Sequence, residues 1–493
     1  MTERLSRATL ARTSRRPDVA GPAVDPEATT IGVVHLGVGA FHRAHQAVFT
    51  EDAAAAAGEA HWGILGVTPR SRAVVEQLEP QDGLYSVLTK SPAETSLRVV
   101  GSMRDVAHLG TRSGDVLAAI AAPTTHVVSA TVSEKGYRRA PGGGLDLSDD
   151  AVAADVAALR AELAGTAWDA PVRTPVGAIA RGLARRAGHG APLTVVCCDN
   201  MVDNGHVLRG LVEDLLDAAG AAAVRAFVER SVRFPMTMVD RITPATTDAH
   251  RAEATALLGL RDEGLVVAEP FSQWVVEDDF AGPRPRWELA GATLTGDVRP
   301  YERAKLRMLN GTHSAIAYLG ALRGHRMIDE ALADPEVSGL ARRLLDEDVM
   351  PTLTAPEGVD LARYRDSILE RFANPATGYT TRQVAGDGSQ KLPMRLLGTV
   401  ADRLAAGAVP TAAVRTLAAW AVFVARGHDV TGRELPLDDP LADGLREAAS
   451  GDDAGLADRM LALREVFPPE VADDDRFRQA FRAEVRDLLA AIP

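Results

Sequence analysis

The stretch "YERAKLRMLNGTH", residues 301–313, carries the chemistry most worth explaining in this chain. Its leucines recur at helical spacing, yet Glu302, Lys305, Asn310 and His313 stand among them. Lysine is scarce: of 54 basic residues fifty are arginine, and the four lysines are Lys90, Lys135, Lys305 and Lys391. Arginine stays protonated, whereas a buried lysine can titrate near neutral pH. A retained lysine therefore marks a place where a removable proton is useful, with drift as the plain alternative. On an α-helix turning about 100° per residue, Leu309, Glu302, His313 and Asn310 fall within roughly 140° of Lys305. Ala304, Met308, Gly311 and Ala315 take the opposite side. Polar groups sharing a stripe with leucines are costly to bury unless paired or functional. The stripe suits proton transfer with carbonyl polarisation: a desolvated lysine, its pKa lowered by burial, as general base toward an alcohol, and Asn and His as donors to the developing oxyanion. A satisfied structural network or a wetted helix face is the alternative.

A second constellation lies near the N-terminus. "VVHLGVGAFHRAH" places Gly37-x-Gly39-x-x-His42 between an apolar run and a helical one. A dinucleotide fingerprint has a third glycine where His42 stands. Gly37 would make the turn and Gly39 would let backbone approach a pyrophosphate. Phe41, His42 and Arg43 open the helix, where the last two could reach phosphate. After the next strand, "GILGV", an NAD enzyme usually has an acid for the ribose hydroxyls. Here the residues are Thr68, Pro69, Arg70, Ser71 and Arg72, and no acid precedes Glu76. Arg70 and Arg72 suit a 2′-phosphate or are solvated helix-start charges. These residues leave the cofactor open between NAD and NADP.

The elements that must position these groups alternate. "IGVVHL", "WGILGV", "THVVSATVS" and "LTVVCCDN" read as buried strands. "FHRAHQAVFTEDAAAAAG" reads as one helix closed by Gly58, and "DDAVAADVAALRAELAG" as a helix capped by Ser148 or Asp149. "LYSVLTK" and "LRVVGSM" read as strands that could pair antiparallel. This βα alternation predicts a doubly wound sheet. Long helical periodicities take over near residue 290, as in "SGLARRLLDEDVMPTL", "PMRLLGTVADRLAAG" and "TAAVRTLAAWAVFVARG". The expected division is a dinucleotide-binding domain over 1–290 and a mostly helical substrate domain over 291–493.

Composition narrows the class. The 493 residues carry a formal charge of −13, which argues against a nucleic-acid binder. No run approaches the roughly 20 apolar residues of a membrane span. The two cysteines, Cys197 and Cys198, are adjacent on a strand and would face opposite ways, so no disulfide is expected, no metal-ligand pattern surrounds them, and a cytoplasmic setting fits. "MTERLSRATLARTSRRP" reads as a surface arm.

The motifs "IGVVHLGVGAFHRAHQAVFTED", "TVSEKGY", "CCDNMVDNG", "FPMTMVDRITPATT", "FSQWVVEDDF" and "YERAKLRMLNGTHSAIAYLG" together resemble the polyol-specific long-chain dehydrogenases. The resemblance runs in order from about residue 30 to about 400. It implies a Rossmann-like domain followed by a helical one, a nicotinamide dinucleotide and no metal. It implies that Lys305 is the catalytic base, that Asn310, His313 and Asn200 surround the reacting oxygen, and that Asp240 holds substrate hydroxyls. Glu302 and Glu134 would flank a proton path to Lys305. "RFANPATGYTTRQVAGDGSQKLPMRL" is similar to the family's substrate-contact segment, with Arg382 and Lys391 as binders of hydroxyl or carboxylate. The expected substrate pair is mannitol and fructose. Mannonate and fructuronate, mannitol 1-phosphate or arabinitol are the alternatives, and a dinucleotide sensor without turnover is the rival class. The expected assembly is a monomer or small homo-oligomer.

Overall fold

The structure is a computed structural model that describes residues 2–14, 16–166 and 170–492. Its contacts divide the chain into two compact units, Met1–Val298 and Arg299–Pro493.

The first unit is built on six parallel strands: β1 (Ile31–Leu36), β2 (Gly63–Thr68), β3 (Met103–His108), β4 (Val127–Ala130), β5 (Leu193–Cys197) and β6 (Val232–Arg233). Their order across the sheet is β3-β2-β1-β4-β5-β6, with every neighbouring pair parallel. This is the doubly wound order in which the chain reverses direction beside β1, and ligands bind at the carboxyl ends of strands at such a reversal. The central strands β1, β2, β4 and β5 are largely apolar because both faces are covered, whereas the outer strands β3 and β6 carry Arg104, Asp105 and Arg233. Val34, Leu65, Val128 and Cys197 join one buried cluster, while Val33, Ile64, Val127 and Cys198 join another. The adjacent cysteines therefore do face opposite ways, and both are free and buried.

Local departures from the sequence reading have physical causes. The first helical stretch is two helices, α1 (Ala40–Ala44) and α2 (Gln46–Ala57), broken at His45 with φ −123° and ψ −91°. Gly58 closes α2 in the left-handed conformation at φ 68°. "LRVVGSM" splits at Gly101: Thr95–Val100 pairs antiparallel with Tyr85–Lys90 in a small sheet, and Met103 begins β3. Asp149, rather than Ser148, caps the helix Asp150–Leu163 by accepting from the Ala151 and Val152 amides. The N-terminal segment is not a loose arm. Leu5 is fully buried with Leu84, Leu88 and Leu97, and its N–H donates to the Arg261 carbonyl at 2.8 Å.

The second unit is helical. The run Arg299–Ala304, Lys305–Asn310 and Gly311–Leu322 lies at its centre, and every residue of the last segment except His313 is buried. The helices Thr411–Arg426 and Asp475–Ala491 pack together, and the first of them also packs on Gly311–Leu322. Among the described residues no helix is long and apolar enough to cross a membrane.

Two buried histidines in the first unit make its stability sensitive to acid. His35 on β1 stacks on His42 of α1 with ring centroids 3.3 Å apart. Burial pushes His35 down to about 3 and His42 well below 6.5, so both are neutral in the folded state. Unfolding would restore the ordinary value of about 6.5. The favourable contribution of each is complete above that value and is lost as pH falls below it, for His35 down toward 3, by up to about 1.4 kcal/mol per pH unit for each ring. Urea titrations at pH 7 and pH 5 should show a falling midpoint for the wild type. A smaller fall is expected for His35→Gln, which cannot take up a proton there.

Candidate active site

At the glycine turn, Gly37 has φ +105°, and a Cβ there would lie 2.1 Å from the Thr131 carbonyl oxygen. Only glycine fits. Its carbonyl accepts from Thr131 Oγ1 at 2.8 Å and from the Gly39 N–H at 2.7 Å, and its own N–H donates to Val67 at 2.7 Å. Gly39 begins α1, and nothing lies closer to its Cβ position than 3.9 Å, so its outer face is open to an approaching phosphate. The backbone of this turn fits a dinucleotide pyrophosphate.

The side chains beside it correct the sequence reading. His42 replaces the third glycine because its ring turns inward onto His35, where the helix packs on the strand. Arg43 is also turned inward: its Nη1 donates to the Gly264 carbonyl at 2.5 Å, and its guanidinium lies 5.8 Å from the Tyr85 ring centroid. With 6% of its surface exposed, it is committed to the interior rather than to phosphate. Phe41 is half-buried and stacks on His45 at 4.9 Å. Arg70 is exposed just beyond β2.

Asn200 is exposed just past the carboxyl end of β5, and Asp240 is buried at the end of the strand Thr237–Asp240. Asp199, which the sequence reading passed over, organises this edge. Its carboxylate accepts from the Val132 and Ser133 N–H groups, each at 2.9 Å, and from Tyr137 Oη at 2.6 Å. Those bonds hold Ser133 at φ 68° and ψ 158°, a conformation almost confined to glycine. Glu134 follows it, exposed, in the single turn Glu134–Tyr137. An acid directly after an apolar strand was the available sequence signal.

In the second unit, the helix bearing Lys305 is not uniform. Lys305–Asn310 forms a π-helical turn, so the constant rotation assumed across residues 302–313 does not hold. Such turns widen a helix and recur at functional sites. Lys305 is 7% exposed, Leu309 is buried, and Glu302, Asn310 and His313 are partly exposed. Asn310 Nδ2 and His313 Nε2 are buried atoms with no hydrogen-bond partner. The His313 ring lies against Phe372, with centroids 4.5 Å apart, and edge-on to Tyr379 at 5.6 Å. Burial first, then the cations Arg395, Lys391 and Arg371, push His313 down to about 3. It is therefore a neutral imidazole at working pH, able to hydrogen-bond an oxygen but not to carry charge.

Arg395 was not singled out from the sequence, although it stands one helical turn after Lys391. Its Nη1 donates to Ser314 Oγ at 3.0 Å, and Ser314 Oγ donates to the Asn310 carbonyl at 3.2 Å. The Arg395 carbonyl also lies 3.1 Å from where a Cβ would stand on Gly311. The π turn is thus clamped at its C-terminal end. Lys391 Nζ donates to the Gly386 carbonyl at 2.6 Å and lies 3.6 Å from Asp387. Arg382, on the short helix Thr381–Ala385, is exposed and lines a pocket of about 590 Å³ with Arg326 and Arg433, none of which is among the three cations acting on His313.

A doubly wound sheet with a fitted dinucleotide turn, joined to a helical unit with a lysine-bearing π turn, defines a nucleotide-dependent oxidoreductase class. Family models make the class specific: the "Mannitol dehydrogenase Rossmann domain" matches residues 31–289 and the "Mannitol dehydrogenase C-terminal domain" matches 297–489. The chain belongs to the mannitol dehydrogenase family. D-mannonate oxidoreductase of Escherichia coli (strain K12) is 37% identical over 477 residues, covering 95% of this chain and 96% of that protein. The Pseudomonas fluorescens mannitol 2-dehydrogenase, solved as a ternary complex with NAD and D-mannitol, superposes with TM-score 0.84 at 34% identity, covering 99% and 97%. A substrate-free D-sorbitol dehydrogenase superposes with TM-score 0.89 at 32% identity, covering 99% and 100%.

The clamp at Arg395 has a measurable consequence. Arg395→Met should lower kcat at least about tenfold, the effect of roughly 1.4 kcal/mol lost from the transition state, with KM for cofactor little changed. Arg395→Lys should recover part of the loss. Steady-state kinetics together with thermal melting separate this from general destabilisation.

Proposed function

We propose that this chain catalyses reversible oxidation of a secondary alcohol in a polyol or sugar acid, with a nicotinamide dinucleotide as hydride acceptor. The observation that carries the reading is the pair of unpartnered buried atoms, Asn310 Nδ2 and His313 Nε2, on the same helical run as the buried Lys305. Buried donors are nearly always satisfied, so these atoms, with Thr312 Oγ1 in the same turn, invite a ligand oxygen.

Bound nicotinamide supplies the hydride acceptor at its C4 carbon. Lys305, in its neutral form, takes the hydroxyl proton as the alcohol is oxidised and returns it on reduction. Asn310 donates through Nδ2 to the reacting oxygen, and neutral His313 donates through Nε2, both stabilising charge that develops there. Glu302, one turn before Lys305, carries the proton onward. In the first unit, Asn200 and Asp240 are proposed to hold substrate oxygens and Glu134 to relay a proton. Gly37 and Gly39 cradle the pyrophosphate.

Mannitol and fructose are the proposed pair, supported by the named mannitol 2-dehydrogenase complex with its NAD and D-mannitol. Mannonate and fructuronate are the second reading. The similarity to D-mannonate oxidoreductase favours it, as do Arg382 and Lys391, two cations suited to a carboxylate. The operating assembly is proposed to be a monomer or small homo-oligomer.

Lys305→Ala should lower turnover by about three orders of magnitude or more, the usual range for removing a general base, while the dissociation constant for NADH stays near wild type. Steady-state rates with mannitol, mannonate, arabinitol and mannitol 1-phosphate decide the substrate. Mannitol should give the highest kcat/KM. A mutant retaining near wild-type turnover, or the absence of turnover with the whole panel despite tight dinucleotide binding, contradicts the reading.

A further inference from the structure

The pocket of about 590 Å³ in the second unit is lined by Arg326, Arg382 and Arg433 together with Thr381, Glu434 and Asp438. Thr381 fixes its place, because Thr381 Cγ2 lies 3.5 Å from the Cβ position of Gly320. Gly320 stands seven residues after His313 and fifteen after Lys305 on one helical run. At about 1.5 Å per residue, the pocket wall is about 10 Å beyond His313 and roughly 20 Å beyond Lys305 along the helix. A six-carbon polyol held at Lys305 does not span that distance.

The walls are formed by contacts of the protein itself. The Thr381 N–H donates to the Arg326 carbonyl at 2.9 Å, and Thr381 Oγ1 donates to the His325 carbonyl at 3.0 Å, which joins the segments carrying Arg326 and Arg382. On the loop that supplies Arg433, the buried Asp429 carboxylate accepts from the Thr431 N–H at 2.8 Å and the Arg433 N–H at 3.1 Å. It also pairs with the Arg433 guanidinium at 2.8 Å. The charge of Arg433 is thus answered within the fold. Arg326 and Arg382 are exposed, and their side chains make no hydrogen bond or ion pair with any described residue. The same holds for Glu434 and Asp438.

Opposite charges that line one space without meeting leave room for a ligand between them, and the volume is that of a small-molecule site. A free guanidinium offers a fork of N–H donors to an oxyanion. A free carboxylate offers acceptors to hydroxyl groups. A ligand that satisfies both kinds of group carries an oxyanion on a hydroxylated body.

We propose that this pocket is a second ligand site, apart from the catalytic run, for a small hydroxylated anion of the sugar acid or sugar phosphate class. Isothermal titration of the full chain with D-gluconate, glucose 6-phosphate and D-glucose tests it. The expected result is saturable binding of at least one of the two anions, about tenfold or more tighter than glucose, a preference of the size charge-assisted contacts give. Which anion binds more tightly separates carboxylate from phosphate. Arg326→Ser and Arg433→Ser should each weaken that binding severalfold, with kcat and KM for the polyol unchanged when no anion is present. Saturating polyol should leave the affinity for the anion unchanged. Anions bound no more tightly than glucose overturn the proposal, as does binding that survives both substitutions. Displacement of the anion by the polyol also overturns it, and returns Arg382 to the substrate site. Turnover is measured separately, so each of these failures leaves the dehydrogenase reading standing.

Discussion

A buried hydrogen-bonding atom without a partner costs about 1–3 kcal/mol, and this chain places three such atoms, Asn310 Nδ2, Thr312 Oγ1 and His313 Nε2, within one helical turn. Much of the second unit can be understood as supporting that exposed debt. The helix that carries them widens into a π turn at Lys305–Asn310. Two further π segments, Leu344–Val349 and Pro393–Leu397, pack against it, and the second of them supplies Arg395. The guanidinium ties Ser314 and the Asn310 carbonyl in place, and it adds, with Lys391 and Arg371, to the burial that chiefly keeps His313 uncharged. A neutral imidazole and an amide can then stabilise negative charge on an oxygen without competing with Lys305 for its proton.

The first unit uses the same device in another form. Ser133 sits in a backbone conformation that costs about 1–3 kcal/mol outside glycine. The carboxylate of Asp199 holds the segment there by accepting from the Val132 and Ser133 N–H groups and from Tyr137 Oη. At the glycine turn, the Gly37 carbonyl is fixed by Thr131 and by its own turn, while the stacked pair His35 and His42 fills the space beneath. In both units, rigid polar contacts behind the reactive face leave the groups in front of it free to meet a ligand.

What could be read from the sequence followed from burial and capping. Four of the six strands, β1, β2, β4 and β5, announce themselves because parallel strands covered on both faces are largely apolar; β3 and β6 carry Arg104, Asp105, His108 and Arg233 and do not. Gly58 and Asp149 mark helix ends through the conformations and side-chain acceptors those ends require. Lys305, Asn310 and His313 stand out as polar residues in an apolar periodicity. The π turn was not legible, because a single inserted residue per turn leaves the spacing of leucines almost unchanged. Arg43 was misjudged for a related reason: composition places arginine at surfaces, and only the tertiary contact with Gly264 and Tyr85 shows it buried. His42 looked like a damaged fingerprint until its partner on β1 was visible. Arg395 lacked any local signal of its role, since its partners lie some eighty residues away in sequence.

The central claim is that Lys305 is the group that exchanges the substrate proton. The pH dependence of kcat/KM for alcohol oxidation, measured for the wild type and for the residual activity of Lys305→Ala, tests it most directly. The expected result is a rising limb in the wild type, where the lysine must be neutral, and loss of that limb in the variant. Persistence of the same limb at the same pH in Lys305→Ala would assign the base to another residue.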